Sequence, residues 1–341
     1  MKKWMLLMLL VACADSKEAR LQKFLLKGNV ALKERNYEQA SYYYGEALKV
    51  DACYADAWNN LGTVYYEQKR FDRAHENYEK AIACKPDFIN ALFNHANTSY
   101  ELKEYYNALE DLEKAGKLKP DTALLFFTKG LVFTKMREFP KALQAFEKAI
   151  AIEPSSIDFK VNHAIVQFYS KSFDQARMEL ESAMILKPDE PNIYNTLALI
   201  EIERANFGKA MEWVNKALEL SPQQPYFLNN RGFIYLSMNE LEKAEADINE
   251  SIGIDPYNAW AYRNKGIFFL AKKDFANAER FLKKALDMDP FVDKIYFYLG
   301  MAYLGNGNKG VACISFIKSE EQGDQMVTDA QKKLCKSMKS Q

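Results

Sequence analysis

Three histidines, five cysteines and scattered carboxylates are the groups in this 341-residue chain that could do chemistry. Imidazoles serve as metal ligands or general bases when the chain brings them beside a carboxylate or a nucleophile. His75, His95 and His163 carry no such signature. There is no His-Glu-x-x-His to put two imidazoles on one helix face, no Gly-rich phosphate loop and no Gly-x-Ser-x-Gly turn. The adjacent acids Glu320 and Glu321 are expected at a solvated helix end. Lys plus Arg and Asp plus Glu stand at 46 each, without a long basic run, so nucleic acid is not the expected main partner. Neither an enzyme activity, a metal nor a cofactor is expected. The polar groups with a pattern are amides and hydroxyls: Asn60, Asn94, Thr128, Asn162, Thr196, Asn230 and Asn264, one every 34 residues. An Asn side chain both donates and accepts, so such a series could pair with the backbone of an extended peptide.

The same step of 34 organises the rest of the chain. It gives Gly or Ala at every position from Gly28 and Gly62 to Gly300, and Ala at all nine from Ala40 and Ala74 to Ala312. A third series runs from Ala47 to Ser319, and a fourth places Pro at 86, 120, 154, 188, 222, 256 and 290. This spacing resembles the tetratricopeptide repeat (TPR), shown well by Trp58, Leu61, Gly62, Tyr65, Ala74, Tyr78, Ala81 and Pro86. The resemblance implies an all-α fold, a right-handed superhelical α-solenoid of nine 34-residue helix-turn-helix repeats. They start near residues 21, 55, 89, 123, 157, 191, 225, 259 and 293 and end near 326, and residues 327–341 form a capping helix and tail. Numbering each repeat from 1, small residues at positions 8 and 20 let helices A and B approach closely. The rings at position 17, such as Tyr37, Phe71 and Phe275, are expected to fill the gap beside that contact. Proline at position 32 ends helix B. The repeats account for nearly all of the sequence, so no separate catalytic domain is expected.

In the TPR family the A helices line a concave groove. Position 6 holds the amide and hydroxyl series, which resembles the asparagine ladder of TPR proteins that hold extended peptides. The same residues could instead solvate the groove or bond within it. Position 9 turns apolar along the chain: Leu131, Ile165, Leu199, Phe233, Ile267 and Met301. Tyr226, Trp260, Arg263 and Phe297 add aromatic and cationic groups. The candidate peptide-binding residues are therefore the seven of position 6 together with Trp260 and Arg263. A carboxylate clamp of the chaperone-binding kind is missing, because Leu25, Asn90 and Asn94 stand where it needs Lys, Lys and Arg.

The chain opens Met-Lys-Lys and runs without charge from Trp4 to Ala12, too short to span a bilayer, which takes about 20 residues. Leu10-Val11-Ala12-Cys13 resembles the lipobox of bacterial lipoproteins. That resemblance implies a signal peptide over 1–12, a lipidated Cys13 and a short tether over 13–20. Ala14 implies the outer membrane, facing the periplasm, with the inner membrane or the cell surface as alternatives. Lipoproteins of this design resemble pilotins of type IV pili and other envelope-assembly factors. The expected function is a membrane-anchored scaffold for a protein or extended peptide. An adaptor for an envelope hydrolase is the alternative, and a cytoplasmic co-chaperone the least expected. Antiparallel helix geometry in the repeat would set Cys53 beside Cys84 and Cys313 beside Cys335, allowing two disulfides in an oxidising compartment. Equally, Cys84 falls where other repeats carry Leu or Ile and could be a buried thiol.

Overall fold

The computed structural model describes residues 16–339, in which there are helices and turns but no strand. The chain divides into two compact units, Met1–Ser170 and Lys171–Gln341. The first holds α1 (Lys17–Lys33), α2 (Tyr37–Val50), α3 (Ala55–Glu67), α4 (Phe71–Cys84), α5 (Ile89–Glu101), α6 (Tyr105–Leu118), α7 (Ala123–Lys135), α8 (Phe139–Ile152) and α9 (Ile157–Tyr169). The second holds α10 (Phe173–Leu186), α11 (Pro191–Glu203), α12 (Phe207–Leu220), α13 (Pro225–Ser237), α14 (Leu241–Ile254), α15 (Ala259–Ala271), α16 (Phe275–Met288), α17 (Ile295–Gly305), α18 (Lys309–Glu321) and α19 (Asp329–Lys339). From Ala55 to Ala259, every A helix begins where the repeat period places it. The two ends differ. Helix α1 starts at Lys17, inside the expected tether, because Ser16 caps it by accepting from Ala19 N at 3.1 Å and Glu18 favours the first turn. Helix α17 starts at Ile295 rather than 293, after Lys294 takes a left-handed conformation with φ 58°.

Close approach of A and B explains the small residues. All nine alanines of position 20, Ala40 to Ala312, have no exposed surface. What faces position 8 is the side chain at position 24. A Cβ on Gly28 would lie 2.4 Å from the Tyr44 ring, one on Gly130 2.6 Å from Phe146, and one on Gly300 2.5 Å from Phe316. Where position 8 is Ala96, Ala164 or Ala198, position 24 is Leu112, Leu180 or Val214. Thus every aromatic at 24 is matched by a glycine at 8. The rings of position 17 lie at the turn end of this contact, where Tyr37, Tyr105, Phe139 and Phe207 pack against the clusters that hold positions 20 and 24. Phe71 meets Tyr66, with ring centroids 5.3 Å apart, and Phe139 stacks on Tyr169 of the next A helix at 5.8 Å.

The A-to-B turns share one geometry. In repeat 2, Lys69 N–H donates to Tyr66 O at 2.8 Å and Arg70 N–H to Tyr65 O at 2.9 Å. This is a Schellman turn, which needs a left-handed residue. Arg35, Lys69, Lys103, Arg137, Ala205, Asn239 and Lys273 supply it with φ between 56° and 63°. In repeat 9 the position is Gly307, φ 81°.

Within each unit the A helices lie side by side. Helix α1 touches α3, α3 touches α5, α5 touches α7 and α7 touches α9; likewise α11, α13, α15 and α17 form a series. Among the described residues no B helix touches the next B helix. The A helices therefore form the inner face of each unit and the B helices the outer. Apolar clusters join neighbours, as where Leu21, Tyr44, Ala57 and Val64 of α1, α2 and α3 pack together. Stability accumulates through such nearest-neighbour contacts.

Candidate peptide-binding face

The inner face of the first unit carries a seam of hydrogen bonds across three A helices. Tyr44 Oη donates to Asn29 Oδ1 at 2.8 Å, and Asn60 Nδ2 donates to the same oxygen at 2.9 Å. Asn59 Nδ2 donates to Asn60 Oδ1 at 3.0 Å, and Asn94 Nδ2 to Asn59 Oδ1 at 2.9 Å. Burial, opposed by the hydrogen bond from Asn60, pushes the Tyr44 phenol up to about 12. Farther along, Thr128 is buried and donates to Leu124 O at 2.9 Å, while half-buried Asn162 donates to Asp158 O at 2.8 Å.

The second unit repeats the device. Asn230 Nδ2 donates to Asn195 Oδ1 at 2.8 Å, and Asn264 Nδ2 to Asn229 Oδ1 at 2.8 Å. Each links position 6 to position 5 of the preceding repeat. Asn264 has no exposed surface, and its oxygen accepts from Arg263 Nη2 at 2.9 Å. Arg263, 8% exposed, also donates to Asp293 O at 3.2 Å, and its guanidinium lies 5.0 Å from the Trp260 ring centroid and 5.3 Å from that of Phe233. Thr196 is buried and donates to Asn192 O. Lys294, at position 2 of repeat 9, pairs with Glu203, at position 13 of repeat 6, with Nζ to Oε1 at 3.3 Å. That pair reaches across the inner face of the unit.

Between the amides runs the apolar row of position 9. Leu199, Phe233, Ile267 and Met301 in the second unit, and Leu131 and Ile165 in the first, are all half-buried. Each gives part of its surface to the neighbouring helices and keeps part open on the inner face.

Family models described as tetratricopeptide repeat match residues 55–88, residues 214–246, and residues 89–122, 191–224 and 261–291. The chain is a tetratricopeptide repeat protein. Similar solved structures carry the same fold. The structure titled as a functional characterization of Pseudomonas aeruginosa pilF aligns at TM-score 0.53 and 22% identity, over 62% of this chain and 96% of that one. The APC/C hetero-tetramer Cut9–Hcn1 aligns at TM-score 0.63 and 14% identity, over 94% of this chain and 63% of that one. Yeast Tom70 aligns at TM-score 0.55 and 18% identity, over 85% and 64%. The chain thus spans a little under two thirds of the latter two. No curated protein matches it.

For this TPR chain, three of the seven residues expected to read a peptide backbone are turned inward. Thr128, Thr196, Asn264 and Arg263 are buried and bonded within the protein, so they are not free to meet a ligand. One N–H of each amide of Asn60, Asn94, Asn162 and Asn230 is bonded within the protein, and these four side chains are half-buried. What sequence reasoning missed is the acceptor row at position 5, Asn59, Asn195 and Asn229. Its signal is the doublets Asn59-Asn60 and Asn229-Asn230. Cys53 is disulfide-bonded to Cys84 and Cys313 to Cys335, with Cα atoms 5.3 Å and 5.2 Å apart. The first bridge ties the turn before α3 to the end of α4, and the second ties the capping helix α19 to α18. His75 and His95, which carry no metal or catalytic signature in the sequence, are in ring contact at 4.2 Å between centroids.

Proposed function

We propose that this chain is a non-enzymatic scaffold, anchored to the cell-envelope membrane through Cys13, that holds a partner protein or extended peptide against its A-helix faces. The observation that carries the binding surface is the half-buried apolar row of position 9. A groove lined by Leu199, Phe233, Ile267 and Met301, with Asn230 and Asn264 bonded to the neighbouring repeat between them, favours hydrophobic side chains of a partner. The anchor rests on the sequence: Cys13 lies outside the described residues, and no described helix is long and apolar enough to cross a membrane. The bonds Cys53–Cys84 and Cys313–Cys335 support an oxidising compartment, as the periplasm would be.

Two arms test this reading. A photo-reactive residue replacing Ile267 on the inner face should crosslink a partner in intact cells, and one replacing Tyr106 on the outer face of α6 should not. Equal crosslinking from both positions would remove the groove from the account. Cys13→Ser should shift the protein from the detergent phase to the aqueous phase, and retention in the membrane would remove the anchor.

A further inference from the structure

His75 and Glu79 stand one turn apart on α4, and α5 packs against α4 with His95 facing them. His75 Nε2 lies 3.6 Å from Glu79 Oε1, and ligand atoms of His75, Glu79 and His95 all lie within 4.8 Å of one another. His95 is 8% exposed. Its Nδ1 is 2.5 Å from Asp111 Oδ2, and Asp111 is in turn paired with Lys114 at 3.7 Å. A carboxylate accepts only, so Nδ1 carries the proton and Nε2 presents its lone pair. That Nε2 is enclosed and has no hydrogen-bond partner. For His75 the Glu104 carboxylate stands 4.0 Å from Nδ1, which has no hydrogen-bond partner, and Nε2 lies on the Glu79 side.

We propose that His75, Glu79 and His95 form a binding site for a divalent zinc-class ion that pins helix B of repeat 2 to helix A of repeat 3. Four ligands around such an ion at about 2.0–2.1 Å sit about 3.3 Å from one another. The His75–Glu79 spacing already approaches this, and a modest inward rotation of the rings closes the rest. A carboxylate bonded to Nδ1, as Asp111 is to His95, is the usual support of a metal-binding histidine, fixing the tautomer and raising basicity. Two imidazoles and one carboxylate suit zinc or a neighbouring transition metal rather than calcium or magnesium, which prefer oxygen ligands. Three protein ligands leave a fourth position for water at the exposed Glu79 edge. Bound there, the ion gives the orphaned Nε2 of His95 the partner that the protein does not supply, and it crosslinks two repeats.

The test uses the full chain, free of any histidine tag and stripped with a chelator. It is titrated with zinc against a chromophoric competitor, with calcium at equal concentration as a control. One equivalent of zinc should bind and raise the thermal midpoint, and calcium should do neither. His75→Gln should abolish this binding, and Glu79→Gln should weaken it at least tenfold. Asp111→Asn, a positioning change, should weaken it by about 10–100-fold, whereas His163→Gln should leave it unchanged. Helical content measured alongside shows that each variant is folded. Binding well below one equivalent, or wild-type affinity in both His75→Gln and Glu79→Gln, overturns the site.

Discussion

At the scale of single residues, the pairing of position 8 with position 24 is the strictest constraint in the molecule. Gly130→Ala drives a methyl into the Phe146 ring, at 2.6 Å, in a core position with no exposed surface. Overpacking of this kind costs about 1–3 kcal/mol. The combination of Ala with Leu already serves repeats 3 and 5, so Phe146→Leu in the Gly130→Ala background should recover much of the loss. Urea unfolding of the four proteins of this cycle measures the coupling, and simple additivity would refute the pairing. The tyrosines give a second prediction. Burial raises Tyr44 and Tyr100 to about 12, against about 10 in an unfolded chain. A raised folded value means stability is fully present below pH about 10 and is lost as pH rises toward 12. The urea midpoint should therefore fall across that window, and less steeply in Tyr44→Phe; an unchanged slope in that variant would argue against it. The glycines and alanines were legible in the sequence as a period, but their partner was not. Position 24 varies among Tyr, Phe, Leu, Val and Ile, and only the helix crossing shows which ring lies over which glycine.

At the scale of helices and turns, A helices before repeat 9 end at a left-handed residue that is not glycine and that the sequence does not mark. Lys69, with φ 57°, carries a Cβ where glycine would be unstrained. Lys69→Gly should stabilise the chain by about 1 kcal/mol, since left-handed backbone costs an L-residue about that much. A lower thermal midpoint for this variant would show that the lysine side chain contributes more than its backbone strain costs. The helices themselves follow from the period, which fixes their starts from Ala55 to Ala259. The ends were harder to read. Ser16 lengthens α1 by a capping bond, and Lys294 delays α17; neither feature recurs in other repeats, so the period is blind to both. The ladder shows the same limit. Its position-6 members were visible, yet Asn94, Asn230 and Asn264 each give an N–H to position 5 of the preceding repeat because A helices lie close enough to bond. Only the distance between helices decides whether an amide meets its neighbour or a ligand. His75 and His95, twenty residues apart in sequence, meet for the same reason, across the contact of α4 with α5.

At the scale of the whole molecule, the amides and the apolar row divide the labour of the inner face. The amides bond one repeat to the next, so each unit keeps its spacing without a large globular core. The disulfides reinforce two places, the turn entering repeat 2 and the capping helix. The surface we propose for a partner is the apolar row of position 9. The most direct test is the affinity of a crosslink-identified partner for Leu199→Ser/Ile267→Ser, with Tyr106→Ser on the outer face as control. The double variant should bind at least tenfold more weakly, a change of about 1.4 kcal/mol, with helical content intact, and Tyr106→Ser should bind as wild type. Unchanged affinity in the double variant, or an equal loss in the control, would contradict the assignment of the inner face as the binding surface.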